Sequence, residues 1–87
     1  MIKKYRKKPV VVEALQYTGN NVEEIKQFCP NCTNLFDNLI IPTLEGRMRV
    51  SVGDYIIKGI IGEYYPCKEK VFNDTYESID TDGKYSV

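Results

Sequence analysis

The stretch that decides the fold lies at residues 52–66 and reads VGDYIIKGIIGEYYP. Two short runs rich in isoleucine and tyrosine, residue types that favour strands, flank a turn bounded by Gly59 and Gly62. A Gly-Asp corner precedes the first run and Pro66 ends the second, as is typical of strand boundaries. The stretch therefore predicts a β-hairpin around which the rest of the chain is organised.

The sequence of this hairpin also predicts a register. With Ile60 and Ile61 at the turn, opposite charges and apolar side chains face each other across the two strands. Such cross-strand pairs stabilise a sheet, and the position of the turn fixes which residues form them. The predicted pairs are Lys58 with Glu63, Ile57 with Tyr64, and Ile56 with Tyr65.

The segments before this hairpin predict a strand, a short helix and a second hairpin. Residues 10–17 are rich in β-branched side chains and predict the first strand. Asn21 is a favourable helix N-cap with Glu24 three residues later, and the helix that follows has one apolar face. Residues 39–50 predict a hairpin that turns at the Glu-Gly pair ending at Gly46.

Less regular segments join these elements. We expect Leu35 and Phe36, in the polar connection before the second hairpin, to pack onto the core. Pro42 has no backbone N–H, so its strand is expected to lie at a sheet edge or to carry a bulge there. Residues 67–75 predict one or two helical turns, and residues 76–79 predict a final strand.

The chain has 87 residues, which is enough for one domain. A domain of this size removes only about 60–65% of its unfolded surface from water when it folds, so its core is small. The predicted class is α+β: a small antiparallel β-sheet or partly open β-barrel with one short helix packed on it. We expect this domain at residues 1–79, with a basic N-terminal arm at residues 1–9, followed by a flexible tail at residues 80–87.

The charges balance, with 12 basic and 12 acidic side chains and a formal net charge of zero. The whole chain therefore has no general attraction to nucleic acid or to an anionic membrane. It contains no apolar run near the roughly 18 residues that a membrane span needs, and it does not begin with an apolar signal segment. Three cysteines, an odd number, fit a reducing compartment, so we expect a cytoplasmic location without membrane association.

The N-terminal arm carries the one concentrated charge in the sequence. Five basic side chains surround Tyr5: Lys3, Lys4, Arg6, Lys7 and Lys8. One interpretation is a solvated arm, whose lysines discourage unwanted strand pairing. The other is a local contact to phosphates, in which Tyr5 stacks on a base.

Cys29 and Cys32 form a Cys-x-x-Cys pair, a spacing that can ligate zinc or form a redox dithiol. A structural zinc site needs four ligands, whereas the chain has no histidine and Cys67 is its only other cysteine. A redox dithiol lies at the start of a helix, and this pair follows one. We interpret the pair as structural or incidental, with metal binding by Cys29 and Cys32 and a redox role as weaker alternatives, and we predict no cofactor.

The sequence also favours a protein that is not an enzyme. Asp54 follows Gly53 at the corner before the central hairpin, where a short carboxylate is expected to accept backbone N–H bonds. No histidine, nucleophile elbow, phosphate-binding loop or cooperating pair of carboxylates is present. We therefore predict a structural role for Asp54 and no catalytic residues.

Five blocks of sequence carry a resemblance to a known family: KKPVVVEA at residues 7–14, IPTLEG at 41–46, GDYIIKG at 53–59, GEYYPC at 62–67 and FNDTYE at 72–77. In this order they resemble small phage and prophage proteins related to the PGDYG family. Val52 and Ile56 depart from the namesake motif, which has proline and glycine at those places. The resemblance implies a phage or prophage gene expressed in the cytoplasm of a bacterial host, and it implies no catalytic residues.

Three functions fit these observations. The first is a small binding module for a host protein or a small ligand, with an apolar turn and rigid tyrosines as contact residues: Ile60, Ile61, Tyr55, Tyr64 and Tyr65. The second is a nucleic-acid or nucleotide binder, in which the basic arm holds phosphate while tyrosines stack on bases. The third is a small structural or accessory protein of the virion.

Overall fold

The computed structural model describes residues 1–79, so the predicted flexible tail at residues 80–87 lies outside the described part of the chain. Six strands and two helices follow one another in that part: β1 (Glu13–Gln16), α1 (Val22–Phe28), β2 (Thr33–Leu35), β3 (Asn38–Thr43), β4 (Gly46–Val50), β5 (Tyr55–Lys58), β6 (Tyr64–Cys67) and α2 (Glu69–Thr75).

The strands form two antiparallel sheets of three strands each, with the orders β1-β5-β6 and β2-β3-β4. Between residues 1 and 79 the sheets do not close into a barrel. The predicted α+β class is confirmed, with two small sheets where one was expected and with a second helix, α2, after the last strand.

The central hairpin is present as β5 and β6, but its predicted register is wrong by one residue. The three predicted pairs, Lys58 with Glu63, Ile57 with Tyr64 and Ile56 with Tyr65, do not form. The observed pairs are Lys58 with Tyr64, Ile57 with Tyr65, Ile56 with Pro66, and Tyr55 with Cys67.

Gly62 causes this shift. Its φ of 84° is a left-handed conformation that glycine adopts without strain, and it follows a tight turn through Ile60 and Ile61. The N–H of Gly62 donates to the carbonyl of Gly59 (3.0 Å), and the N–H of Gly59 donates to the carbonyl of Glu63 (2.7 Å). The turn therefore contains three residues, as in hairpins whose last turn residue is a left-handed glycine.

The first strand is shorter than predicted. Residues 10–12 precede β1 and form no regular structure, although they are β-branched. The four residues of β1 pair with all four residues of β5, from Glu13 opposite Lys58 to Gln16 opposite Tyr55. Lys58, the last residue of β5, is already paired with Glu13. Residues 10–12 therefore extend past the end of β5 and have no residue of it to pair with.

The predicted hairpin at residues 39–50 is confirmed as β3 and β4. Thr43 lies opposite Gly46, which has a φ of 110°, so the turn comes one residue earlier than the predicted Glu-Gly pair. Pro42 lies in the middle strand of its sheet, yet β2 pairs with β3 only as far as Ile40. At Pro42 the strand therefore has only β4 as a neighbour, and the missing N–H disrupts no ladder on the other side.

The expectation that Leu35 and Phe36 pack onto the core is wrong. Thr33–Leu35 forms the edge strand β2, and Phe36 and Asp37 form a two-residue turn with φ values of 50° and 62°. Two left-handed residues characterise the type I′ hairpin turn, whose twist matches that of the flanking strands. This turn points away from the core, leaving Leu35 half exposed and Phe36 96% exposed.

The last described elements partly match the expectation. The predicted helical turns at residues 67–75 are confirmed as α2. Residues 76–79 do not form the predicted strand, since only Ile79 makes an isolated bridge. Within residues 1–79 neither helix is long and apolar enough to cross a membrane.

The hydrophobic core lies between the two sheets and α1. Its buried members come from both sheets, from α1 and from the loop after it: Tyr17, Ile25, Cys29, Cys32, Leu39, Ile41, Val50 and Ile56. Ile25 and Cys29 are four residues apart and share the inner face of the helix, as predicted from the apolar spacing. Ile57 is also fully buried but lies on the opposite face of β5 from Ile56, so both faces of the β1-β5-β6 sheet are covered.

Candidate functional site

A row of three aromatic rings covers the second face of the β1-β5-β6 sheet. Tyr55 of β5 stacks on Phe72 of α2, with ring centroids 3.8 Å apart and 8° between the ring planes. Phe72 in turn stacks on Tyr76, the C-cap of α2, at 5.0 Å. Phe72 and Tyr76 are four residues apart and lie on one side of the helical turn, so they dock α2 onto the sheet.

A groove of about 800 Å³ lies between this aromatic row and the N-terminal segment. We call it the arm–helix groove, and the side chains that matter for its chemistry are Lys7, Lys8, Tyr55, Phe72, Tyr76 and Glu77. Its lining combines three aromatic rings with two ammonium groups and one carboxylate. It therefore suits a ligand that has both a planar ring and negative charge.

The predicted phosphate contacts divide into two groups. Lys7 and Lys8 line the arm–helix groove, and the Nζ atom of Lys7 lies 5.8 Å from the ring centroid of Tyr76, within the range of a cation–π contact. Lys3, Lys4 and Arg6 are exposed on the arm before the groove and do not line it.

Tyr64 lies on the core face, away from the groove. Its ring meets that of Phe28 edge to face at 5.6 Å, and its hydroxyl donates a hydrogen bond of 2.8 Å to the carbonyl of Phe28. Because Phe28 is the last residue of α1, this contact ties the C-terminal end of the helix to β6. Tyr64 was predicted to lie on an exposed binding surface. In the structure it makes structural contacts with Phe28 and the core.

Tyr65 lies next to Tyr64 in β6 and so points to the opposite face, beside Ile57. Burial, the hydrogen bond to the neighbouring Tyr76 hydroxyl and the charge of Glu63 together raise the pKa of Tyr65 to about 12. Tyr65 is thus held in its neutral form next to the aromatic row.

Ile60 and Ile61 form the tip of the β5–β6 hairpin and are 74% and 73% exposed. Tyr55 lies at the other end of β5, opposite Cys67, and so is remote from this tip. The predicted contact residues therefore do not form one surface. The tip is one exposed feature, and the arm–helix groove with Tyr55 is another.

Asp54 has the predicted place at the corner before β5. It is only 5% exposed, and its carboxylate accepts a hydrogen bond of 2.9 Å from the N–H of Ser51. Lys68 lies 3.3 Å from the same carboxylate. The N–H of Tyr17 also donates to the carbonyl of Asp54 (2.8 Å), which joins the end of β1 to this corner. These bonds support the structural role predicted from the sequence.

Cys29 and Cys32 are buried in the core, with a hydrogen bond of 3.1 Å from the N–H of Cys32 to the carbonyl of Cys29. Burial raises the pKa of both thiols, and the proximity of Cys32 raises that of Cys29 further. Zinc binds thiolates, so a raised pKa opposes binding. In the described residues no third side chain of a metal-binding type joins the two cysteines in a cluster that could hold a metal ion.

The structure thus brings Tyr55 together with Lys7 and Lys8, residues that were predicted separately. Sequence reasoning missed Phe72 and Tyr76 as members of the site, because it assigned Phe72 to the helical segment and Tyr76 to a strand, so their i, i+4 spacing on one helical turn was not recognised. No protein-family model, curated protein or solved structure matches the chain.

Proposed function

We propose that this protein is a small non-enzymatic binding module, and that the arm–helix groove takes a small ligand carrying both a planar ring and negative charge. The observation that carries the proposal is the meeting of the basic arm and the aromatic row in one groove. In the setting that the sequence resemblance suggests, the module is a phage or prophage accessory protein in the cytoplasm of a bacterial host.

The dimensions of the groove support a small ligand. Its volume of about 800 Å³ lies within the range of about 300–1,000 Å³ for small-molecule sites. Lys7 and Lys8 supply positive charge to its lining, and the Nζ atom of Lys7 lies 5.8 Å from the ring centroid of Tyr76, so charge and an aromatic ring stand next to each other. A nucleotide has the required combination of planar base and phosphate, and the terminal nucleotides of a single strand have it as well.

The test compares adenosine triphosphate and oligothymidylate as probes in an NMR titration of the full chain. We expect shifts of the amide signals near Tyr55 and Phe72, with affinity that falls as salt is added. Reversing both charges in the double variant Lys7→Glu/Lys8→Glu should weaken binding by about tenfold or more, because each reversal replaces an attraction to phosphate by a repulsion.

The matched control is the double variant Arg47→Glu/Arg49→Glu. It changes the net charge by the same amount at two exposed residues of β4 that do not line the groove and that form no ion pair within residues 1–79. It should bind both probes almost as well as the original protein. Equal weakening in the two double variants, or no shifts at the groove with either probe, would contradict the proposal.

A second candidate function is the binding of a host protein through the hairpin tip. The observation in its favour is the exposure of two adjacent isoleucines, Ile60 and Ile61, which together offer an apolar contact at the end of a β-hairpin. A protein partner with an apolar pocket would bury both side chains.

Substitution at the tip tests this candidate. If a host protein binds there, a pull-down from bacterial lysate with the original chain should recover a partner that the Ile61→Asp variant fails to recover. The control is Leu44→Asp, which places the same charge on another exposed hairpin turn, where the leucine is 75% exposed. Recovery that is unchanged by Ile61→Asp, or lost equally with Leu44→Asp, would exclude the tip as the binding site.

A further inference from the structure

Among the strands that the structure describes, β4 lies at the edge of its sheet. Within residues 1–79 it pairs with β3 and with no second strand. Its first four residues, 46–49, are all exposed, and only Val50 at its end is buried in the core. An edge strand leaves every second backbone N–H and C=O group free to pair with another extended chain.

The exposed part of this edge is basic. Arg47 and Arg49 are two residues apart and therefore point to the same face of the sheet, about 6.7 Å from each other along the strand. Their partners across the ladder are Pro42 and Ile40, which carry no charge. In the described part of the chain neither arginine forms an ion pair.

Met48 lies between the two arginines and points to the other face of the sheet, where it is 42% exposed. The edge thus presents charge, apolar surface and charge in succession. We infer that β4 binds an extended acidic segment of another protein, which adds to the sheet as a fourth strand with an acidic, an apolar and an acidic residue in sequence. The two carboxylates lie beside Arg47 and Arg49, and the apolar residue packs on Met48.

Charge and chemistry favour this occupant over two others. A second copy of the chain would place arginine beside arginine if it paired through β4, and like charges on neighbouring strands are destabilising. A nucleic-acid strand has no N–H and C=O ladder to pair with the edge, and the face of β3 and β4 that carries Arg47 and Arg49 offers no aromatic ring for a base to stack on. Edge arginines discourage pairing with neutral or basic strands, which makes the same charges selective for an acidic one.

The inference does not depend on the arm–helix groove, and its experiment uses different probes. The full chain is titrated with the capped peptide Ser-Thr-Glu-Val-Glu-Thr-Ser and with Ser-Thr-Lys-Val-Lys-Thr-Ser, and amide shifts are followed by NMR. We expect the acidic peptide to shift residues of β4 and the basic peptide to bind more weakly by roughly threefold to thirtyfold or not detectably. Added salt should reduce this difference, because the charge pairs are exposed.

The double variant Arg47→Glu/Arg49→Glu should reverse the preference, losing the acidic peptide and gaining the basic one. Both side chains are exposed, so we expect the variant to fold normally. Unchanged NMR signals of the core residues would verify this. Two further peptides, N-methylated either at valine or at both glutamates, test the added strand. One of them blocks the N–H groups that face β4 and should lose binding, while the other should retain it.

Three outcomes would overturn the inference. The first is that the charge-reversed variant still prefers the acidic peptide. The second is that both N-methylated peptides bind as well as the parent peptide. The third is that oligothymidylate shifts the signals of β4 while the acidic peptide does not. The Lys7→Glu/Lys8→Glu variant should bind the acidic peptide normally, which separates this surface from the groove.

Discussion

Replacing Ile56 with alanine is expected to lower the free energy of unfolding by about 2–5 kcal/mol, because it opens a cavity at the centre of the core. Ile56 is fully buried and lies in the middle strand of its sheet, between Leu15 on β1 and Pro66 on β6. The total stability of a small domain is about 5–15 kcal/mol, so this single change removes a large part of it. Urea denaturation followed by circular dichroism measures the loss.

Ile61→Ala is the matched control for this prediction. It removes the same atoms from the same residue type in the same hairpin, but Ile61 is 73% exposed at the tip. Its effect on the free energy of unfolding should stay within about 0.5 kcal/mol. Similar losses in the two variants would mean that the tip packs in solution or that Ile56 does not lie in the core.

The sequence predicted the elements of the fold better than it predicted the register of the central hairpin. Residue type, turn glycines and the helical spacing of apolar residues are local properties, so they located the central hairpin and the short helix with its buried face correctly. The register depended on whether Gly62 belongs to the turn or to the strand. Gly62 belongs to the turn because it has a left-handed φ, a conformation that the sequence permits but does not require. Its inclusion in the turn shifts every pair in the hairpin by one residue.

The turn at Phe36 and Asp37 could not be predicted by the usual signal. Type I′ turns favour Asn-Gly and Asp-Gly because both central residues have positive φ, and a phenylalanine there is unusual. The Asn38 side chain, which donates to the carbonyl of Phe36 at 3.2 Å, helps to hold this conformation. A hydrophobic residue in a polar segment suggests burial, whereas here the pairing of β2 with β3 determines where the side chain points.

The candidate site was predictable only in pieces. The basic arm and Tyr55 were both identified from residue type, but their meeting depends on how α2 folds back over the sheet. That packing is a tertiary event between segments far apart in sequence. Tyr64 and Tyr65 show the same limit, because adjacent residues of a strand point to opposite faces and only the core decides which face is inside.

Asp54→Ala is expected to lower the free energy of unfolding by about 1–3 kcal/mol, because it removes the hydrogen bond from the N–H of Ser51 to a charged and nearly buried carboxylate. The ion pair with Lys68 should contribute much less, since the Lys68 side chain is 70% exposed and water screens the charge. Lys68→Ala should therefore cost less than about 1 kcal/mol. Asp54→Asn retains an oxygen acceptor for Ser51 and should fall between these two variants.

Asp74→Ala provides the control for the loss of an acidic side chain. Asp74 pairs with Lys70 at 3.5 Å on the exposed side of α2, where an i, i+4 ion pair contributes about 0.3–0.5 kcal/mol. The four variants can be compared by urea denaturation under one set of conditions. If Asp54→Ala costs no more than Asp74→Ala, the corner is held by its backbone hydrogen bonds, in which Tyr17 pairs with Gly53 and Asp54, and the Asp54 carboxylate adds little. If Lys68→Ala costs as much as Asp54→Ala, the ion pair is the stabilising contact and the hydrogen bond to Ser51 is not.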